Sequence, residues 1–130
     1  MSIITATEKL ITKEATGSQA VSGSFVNVST LTIYEGDDLN IILRDVKITA
    51  TQSSPVAINL IITLDSLGND VVFASGNVGG TAGQGTATTK SFQFSLDKWC
   101  QLESDGKVYV WMKAASGTST WTKTSITVEQ

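Results

Sequence analysis

The sequence contains no histidine, one cysteine and one proline in 130 residues. Without histidine, Ser-His-Asp and Cys-His catalysis, imidazole acid–base chemistry and histidine-ligated metals are excluded. The lone Cys100 excludes an intramolecular disulfide, and its position at the end of an apolar strand pattern favours a buried small hydrophobe over a reactive thiol. The composition therefore predicts a protein that is not an enzyme and needs no cofactor.

Charged residues are also scarce, at 16% of the chain against about 25% in average soluble proteins. The net charge is −3 and Arg44 is the single arginine, so no basic stripe is available to neutralise nucleic-acid phosphates. No segment approaches the ~20 apolar residues of a membrane span, and the N-terminus lacks the features of a signal peptide. We expect a protein made in the cytoplasm of a host without a leader, with neither nucleic acid nor membrane as a partner.

What the sequence does contain is a series of short apolar–polar alternations separated by turn residues. Ser and Thr fill roughly a quarter of the chain, and threonine suits the pleated surface of a sheet. About eight strands are predicted, with connections too short for βαβ crossovers. This pattern indicates an all-β fold, an antiparallel β-sandwich of the jelly-roll type.

Domain organisation follows from where the alternation becomes regular. Residues 21–130 are predicted to form the sandwich, and residues 1–20 an N-terminal arm or edge segment. Thr5–Glu8 matches a helix capping box, so a short helix stays open as an alternative there. The alternation changes phase at Ser29–Thr30 and again at Arg44–Asp45, which predicts a bulge or bend at each point.

Gly76–Gly85 carries five glycines in ten residues and no charge. A phosphate-binding loop needs a Gly-Lys-Ser/Thr ending followed by a helix, whereas Thr86–Lys90 leads into a strand pattern. The segment is therefore interpreted as a mobile surface loop that orders against a neighbour. Its contact candidates are Gly79, Gly80, Gly83 and Gly85.

Acidic residues cluster near several turns. Asp65, Asn69 and Asp70 are weak candidates for calcium ligands, because hard cations need several oxygens on a tight loop. Their spacing departs from the EF-hand pattern, and hairpin turns select Asp and Asn in any case. Paired carboxylates of the glycosidase type stay open, but solvated turn residues are the favoured interpretation for the groups at 35–38 and 103–105.

The segment Lys107–Ala115 alternates like a strand, yet both of its faces are apolar. One face carries Val and Met, and the other carries Tyr109 and Trp111, which Trp121 of the last strand is expected to join. A solvated antiparallel strand is normally polar on one face. Three interpretations remain open: cover by another part of the chain, a subunit interface favoured by Trp and Tyr, or a platform on which sugars stack.

The Ser/Thr/Gly-rich body, the uncharged loop at Gly76–Gly85, the arm-like N-terminus and the missing catalytic constellation resemble small β-sandwich proteins that decorate or project from bacteriophage and viral capsids. The resemblance implies a non-enzymatic virion protein: a capsid decoration, fibre or tail component on the particle surface. It implies a homo-oligomer, with a trimer favoured, and capsid or other virion proteins as partners. Ala57–Glu129 also resembles jelly-roll carbohydrate-binding modules, so a glycan-binding or receptor-binding domain is the alternative.

Overall fold

The computed structural model describes residues 10–33, 39–52, 57–79 and 88–129. Within these ranges the chain forms eight β-strands and no helix, so the described part contains no helix that could cross a membrane. The strands are β1 (Leu10–Val21), β2 (Val26–Thr32), β3 (Asn40–Gln52), β4 (Ala57–Thr63), β5 (Val71–Gly79), β6 (Thr88–Gln101), β7 (Lys107–Ala114) and β8 (Ser119–Glu129).

The strands form two four-stranded antiparallel sheets that pack face to face. The first sheet has the order β1-β8-β3-β6 and the second has the order β2-β7-β4-β5. Neighbours in each sheet are non-consecutive in the chain except for β4 and β5, so most connections cross from one sheet to the other. This arrangement confirms the predicted antiparallel sandwich and is that of a jelly roll.

The core lies between the two sheets and is almost entirely aliphatic. β4 and β7 contribute alternate residues that are fully buried, and β3 and β8 supply their partners from the other sheet. Burial of each Leu, Ile or Val side chain stabilises the fold by about 1.5–3 kcal/mol. The fully buried aliphatic residues of these four strands are Ile41, Leu43, Val46, Ile48, Ile58, Leu60, Ile62, Val108, Val110, Ile126 and Val128.

Both predicted phase changes appear as irregularities in strand pairing. β2 is one strand whose register against β7 shifts between Asn27 and Ser29, one residue earlier than expected. β3 shifts against both β6 and β8 between Leu43 and Asp45. At each bulge, one extra residue reverses which face of the sheet the following side chains point to. Even-numbered apolar residues on one side of the bulge and odd-numbered ones on the other can therefore face the same core.

The glycine-rich segment is only partly a loop in the described residues. Gly76–Gly85 was predicted to be a loop, but β5 continues through its first residues to Gly79, which pairs with Ala57 at the start of β4. Gly76 and Gly79 both have positive φ, which bends the strand at low cost because glycine lacks a Cβ. The correction arises because pairing with β4 outweighs the weak strand preference of glycine.

The segment that the sequence left open as arm, helix or edge strand forms β1 from Leu10 onward. β1 pairs with β8 from Leu10↔Glu129 to Val21↔Ser119 and lies at the edge of the first sheet. The division placed at residue 20 therefore falls within a strand. The capping box at Thr5–Glu8 lies outside the described residues.

The start of β1 and the end of β8 lie at the same end of the sandwich as the β4–β5 and β6–β7 turns. Backbone hydrogen bonds close this end, from Ile33 N to Gly106 O at 2.8 Å and from Leu102 N to Leu39 O at 2.8 Å. We call it the terminal end.

Candidate contact surfaces

The aromatic face predicted on β7 is the outer face of the second sheet. Val108, Val110 and Met112 point into the core, whereas Tyr109 and Trp111 point outward and are half-buried. In the ladder, Asn27 and Ile61 flank Trp111 on the neighbouring strands. The structure therefore places two of the three predicted aromatic residues together on one surface.

Trp111 is covered by the β4–β5 turn, residues 64–70. Its indole Nε1–H donates to Thr63 Oγ1 at 3.0 Å, and the Thr63 hydroxyl donates to the Asp65 carbonyl at 2.8 Å. Gly68 lies against the ring, so that a Cβ added there would be 3.4 Å from Cζ2 of Trp111. The φ of Gly68 is +77°, a conformation that other residues rarely adopt.

The carboxylate of Asp65 holds this turn in shape. It accepts hydrogen bonds from the backbone N–H groups of Asn69 at 2.9 Å and Asp70 at 2.8 Å. These bonds, that from Asp70 foremost, lower the pKa of Asp65 because they favour the charged form. Across the described part of the chain, no group of three or more Asp, Glu, Cys or His residues could hold a metal ion. A calcium role for Asp65, Asn69 and Asp70 stays a prediction.

Tyr109 makes a polar contact at the terminal end of the same face. Its hydroxyl donates to Asp105 Oδ2 at 2.5 Å, and this bond raises the pKa of Tyr109 to about 12. At the other end of β7, the Lys113 ammonium lies 4.8 Å from the centre of the Phe25 ring. The polar groups of this face are therefore largely engaged within the chain.

Trp121 does not join the aromatic face. It belongs to the first sheet, faces the core and is only 4% exposed. A register shift against β3 near Thr49–Ala50 lets Trp121 and Thr124 both point inward. Trp121 Nε1–H donates to Thr124 Oγ1 at 2.8 Å, and Ser29 of the second sheet donates to the same oxygen at 2.9 Å. The third tryptophan thus lies beside a buried polar link between the sheets.

Of the four glycines predicted as contact candidates, Gly79 lies at the end of β5. A Cβ added there would be 2.9 Å from Cε1 of Phe92 on β6, so its role in the described structure is close packing between the two sheets. Gly80, Gly83 and Gly85 lie outside the described residues. Cys100 is buried as predicted, and burial raises the pKa of its thiol.

The sequence interpretation missed an apolar surface on the outer face of the first sheet. Leu10, Glu129, Ile42 and Trp99 follow one another across all four strands of that sheet as directly paired residues. Leu10 is 64% exposed and Trp99 is 60% exposed. We call Leu10, Ile42 and Trp99 the apolar row. Alternation could have identified only its Trp99 member as outward-facing, because Cys100 next to it was predicted to be buried.

An ion-pair cluster borders the apolar row. The guanidinium of Arg44 bridges Asp97 Oδ1 at 2.6 Å and Glu129 Oε2 at 2.5 Å, and so connects β6, β3 and β8. Arg44 is the residue at which β3 shifts register, and the bulge directs its side chain across its neighbours. The carboxylates beside the row are therefore balanced in part by one cation.

Further along the same face lies a shallow depression of about 200 Å³, lined by Glu14, Lys47, Thr49, Lys123 and Ser125. Lys123 Nζ is 3.5 Å from Glu14 Oε2. Outer residues between the depression and the row include Thr12 and Thr127, whose hydroxyls are 2.9 Å apart. Among the described residues of the first sheet, the exposed large apolar side chains, Leu10 and Trp99, lie towards the terminal end, and the residues around the depression are polar.

No protein-family model matches the sequence, and no curated protein matches it either. Solved structures do match its fold. The structure of T=1 particles derived from infectious bursal virus gives a TM-score of 0.58 at 12% identity and covers 95% of this chain. The infectious bursal disease virus VP2 subviral particle gives 0.53 at 13% identity over 95% of the chain, and the Gx strain of that virus gives 0.52 at 12% over 96%.

This chain spans about a third of the length of the viral chains that it matches, 32%, 33% and 32% respectively. At these identities the likeness concerns the fold. The two-sheet jelly roll described above is therefore one that proteins of viral particles also adopt.

Proposed function

We propose that this chain is a non-enzymatic structural protein of a virion, a capsid decoration, fibre or tail component on the particle surface. The observation that carries the proposal is the shared fold: 95% of the chain superimposes on a protein of infectious bursal virus particles. A jelly roll buries both inner sheet faces and leaves two broad outer faces, which suits a subunit that works through contacts.

The surface of the described residues supports a role in assembly. The large hydrophobic side chains that are exposed there are Leu10, Leu67, Val71 and Trp99, and all four lie towards the terminal end. Exposed apolar groups concentrated in one region are typical of interaction surfaces, whereas single scattered ones are not. We propose that this end takes part in subunit contacts and that the protein is a homo-oligomer, with a trimer as the favoured form.

A direct test is whether the chain belongs to particles. Virus particles would be purified on a density gradient from a culture that produces the virus carrying this gene, and probed with an antibody against the 130-residue chain. The chain is expected to sediment with the particles and to label their surface in immunogold electron microscopy. Recovery only in the soluble fractions would overturn the virion role.

The alternative is a carbohydrate-binding or receptor-binding domain that uses the aromatic sheet face. Its main candidate, Trp111, lies against Gly68 and bonds Thr63, which leaves less of the ring for a sugar to stack on. A glycan array with the wild-type chain and Trp111→Ala would decide between the two. A sugar signal that Trp111→Ala abolishes, while oligomeric state and particle binding persist, would favour the alternative.

A further inference from the structure

We propose that the shallow depression on the outer face of the first sheet binds an acidic sugar, a saccharide that carries one carboxylate together with free hydroxyl groups. The residues that line it belong to β1, β3 and β8, in the sheet opposite the aromatic face. The site adds a ligand to a chain for which the proposed function names only assembly contacts, and it does not depend on the virion role.

The strand register brings two lysines and two hydroxyl residues together in this depression. Lys47 of β3 is paired directly with Ser125 of β8, and Thr49 is paired with Lys123. Residues placed diagonally across two neighbouring strands are about 7–8 Å apart, within reach of long side chains. The two lysines therefore lie on one diagonal of a square and the two hydroxyl residues on the other. We call these four residues the lysine–hydroxyl cluster.

The donors of the cluster are largely available to a ligand. Within the described residues, Lys47 makes no ion pair and the Ser125 hydroxyl makes no hydrogen bond. Lys123 Nζ has a carboxylate oxygen of Glu14 at 3.5 Å, which is long for a charge-assisted hydrogen bond. A ligand carboxylate above the cluster can therefore accept hydrogen bonds from two ammonium groups and a hydroxyl.

Two carboxylates border the cluster. Glu14 is paired with Ser125 across β1 and β8, and its side chain is 53% exposed. Asp45 lies on β3 two residues before Lys47 and accepts a hydrogen bond from Gln93 Nε2 at 2.9 Å. Carboxylates accept hydrogen bonds from neutral hydroxyl groups, whereas they repel a second anionic group. These surroundings favour a ligand with one negative charge and several hydroxyl groups, which is the chemistry of an acidic sugar.

The charge balance argues against a polyanionic ligand. The net charge of the chain is −3, and the two lysines of the cluster have Glu14 and Asp45 close by. Nucleic acids bring rows of negative charges, and their binding depends on several cations that neutralise phosphates. An acidic peptide brings several carboxylates in the same way. A single carboxylate can lie on the cluster without placing further negative charge beside Glu14 and Asp45.

The size of the depression limits the ligand to about one sugar ring. Its volume is about 200 Å³, below the roughly 300–1,000 Å³ of pockets that take drug-sized ligands. None of the five described residues that line it is aromatic, so stacking contributes nothing there. We therefore expect weak binding, in the millimolar range, which several linked copies of the chain would strengthen through multivalency.

Titration of the chain followed by nuclear magnetic resonance tests the site. Methyl glucuronide and methyl glucoside are matched probes, because they differ at one carbon, which is a carboxylate in the first and a hydroxymethyl group in the second. The glucuronide is expected to shift the amide signals of Lys47, Lys123 and Ser125, and the glucoside to leave them in place. Acetate, which has the carboxylate without the ring, is expected to bind more weakly than the glucuronide.

Charge-removing variants locate the binding. Lys47→Gln and Lys123→Gln are each expected to weaken glucuronide binding about three- to fivefold, the effect of one exposed ion pair. Lys98→Gln is the matched control, because it makes the same change of charge on β6, where Lys98 is paired with Leu43; it is expected to leave the affinity unchanged. The amide spectrum of each variant without a probe shows whether that variant is folded.

Each contrary outcome has a definite meaning. Equal affinities for the glucuronide and the glucoside, or no shift with either, would overturn the site. Equal affinities for acetate and the glucuronide, or tighter binding of an oligoglutamate peptide, would overturn the sugar as its ligand. Equal losses in Lys98→Gln would reveal a general charge effect, and shifts confined to Trp111 would assign the sugar to the aromatic face. Sedimentation of the chain with particles is measured separately, so the proposed function can stand when this site fails.

Discussion

The outer faces of the two sheets carry one tryptophan each: Trp111 lies on an inner strand of the second sheet, and Trp99 lies on an edge strand of the first. Trp111 on the second sheet is covered by the β4–β5 turn and bonded through its indole nitrogen to Thr63. Trp99 on the first sheet is 60% exposed, and none of the described turns is in contact with it as residues 64–70 are with Trp111. Alternation along a strand tells which side chains point outward; whether an outward side chain meets water depends on which connection crosses that face.

This difference separates two roles for aromatic residues. The indole of Trp111 contributes to the stability of one chain, because its partners are all in that chain. Trp99 contributes less to the stability of a single chain, because 60% of the residue is exposed. The following experiments test whether the two tryptophans differ in this way.

The largest expected difference is in stability after truncation of each tryptophan. Trp111→Ala is expected to lower the free energy of unfolding by about 2–3 kcal/mol, somewhat less than the 3–5 kcal/mol of a fully buried Trp. Trp99→Ala is expected to cost under about 0.5 kcal/mol, because its side chain is 60% exposed. Urea unfolding of both variants measures the two losses, and equal losses would contradict the comparison.

The packing of the β4–β5 turn on Trp111 can be changed without substituting the tryptophan itself. Gly68→Ala places a Cβ next to Trp111 and forces alanine into the left-handed region, so a loss of about 1–2 kcal/mol is expected. Gly23→Ala is the matched control, because nothing lies within 4 Å of a Cβ there; it should stay within about 0.5 kcal/mol of wild type. Thermal melts followed by tryptophan fluorescence measure both variants. A neutral Gly68→Ala would show that the turn does not cover the ring as described.

Lowering the pH is expected to destabilise the outer face of the second sheet, where the β4–β5 turn covers Trp111, before the outer face of the first sheet. The folded-state pKa of Asp65 lies below the ordinary value of 3.8 because backbone amides stabilise its charge. Its contribution to stability is therefore complete above that value and disappears as the pH falls through the folded pKa. Wild-type unfolding free energy should thus decrease more steeply below about pH 4 than that of Asp65→Asn. Parallel pH profiles for the two proteins would argue against this role of Asp65.

The smallest effect concerns the hydroxyl of Tyr109 and is spectroscopic. Its pKa is raised from 10.0 to about 12 by the hydrogen bond to Asp105, so the associated stabilisation is present below pH 10 and is lost as the pH rises towards 12. Ultraviolet absorbance of the phenolate in a Tyr34→Phe background follows this single group. Asp105→Asn should move the titration back towards the ordinary value, and an unchanged titration would show that Asp105 is not the cause.

Much of the fold could be predicted from alternation and turn residues. Both register shifts were visible in the sequence, because apolar residues changed parity at Ser29–Thr30 and at Arg44–Asp45. The extension of β5 through Gly79 was missed, because glycines indicate a loop unless a neighbouring strand supplies the pairing. The position of Trp121 was missed because β8 belongs to the sheet opposite β7, and because a bulge in β8 turns Trp121 towards the core.

The candidate surface could be predicted only in part. Tyr109 and Trp111 were correctly identified as outward-facing neighbours, since they alternate with Val108, Val110 and Met112. The apolar row was not identified, because Leu10, Ile42 and Trp99 are far apart in the chain and become adjacent only when β1, β3, β8 and β6 pair. Long-range pairing of this kind leaves no local pattern in a single sequence.

By itself, the sequence determined the all-β class, the approximate number of strands, which residues alternate into the core, and a chemistry without histidine. These properties follow from local periodicity and from the side-chain types that are present. The tertiary structure alone decided that Trp111 is covered, that Trp121 is internal and that Trp99 stands at the open edge of a sheet. Exposure depends on which strands are neighbours and which turn crosses each face, and both are settled when the two sheets pack.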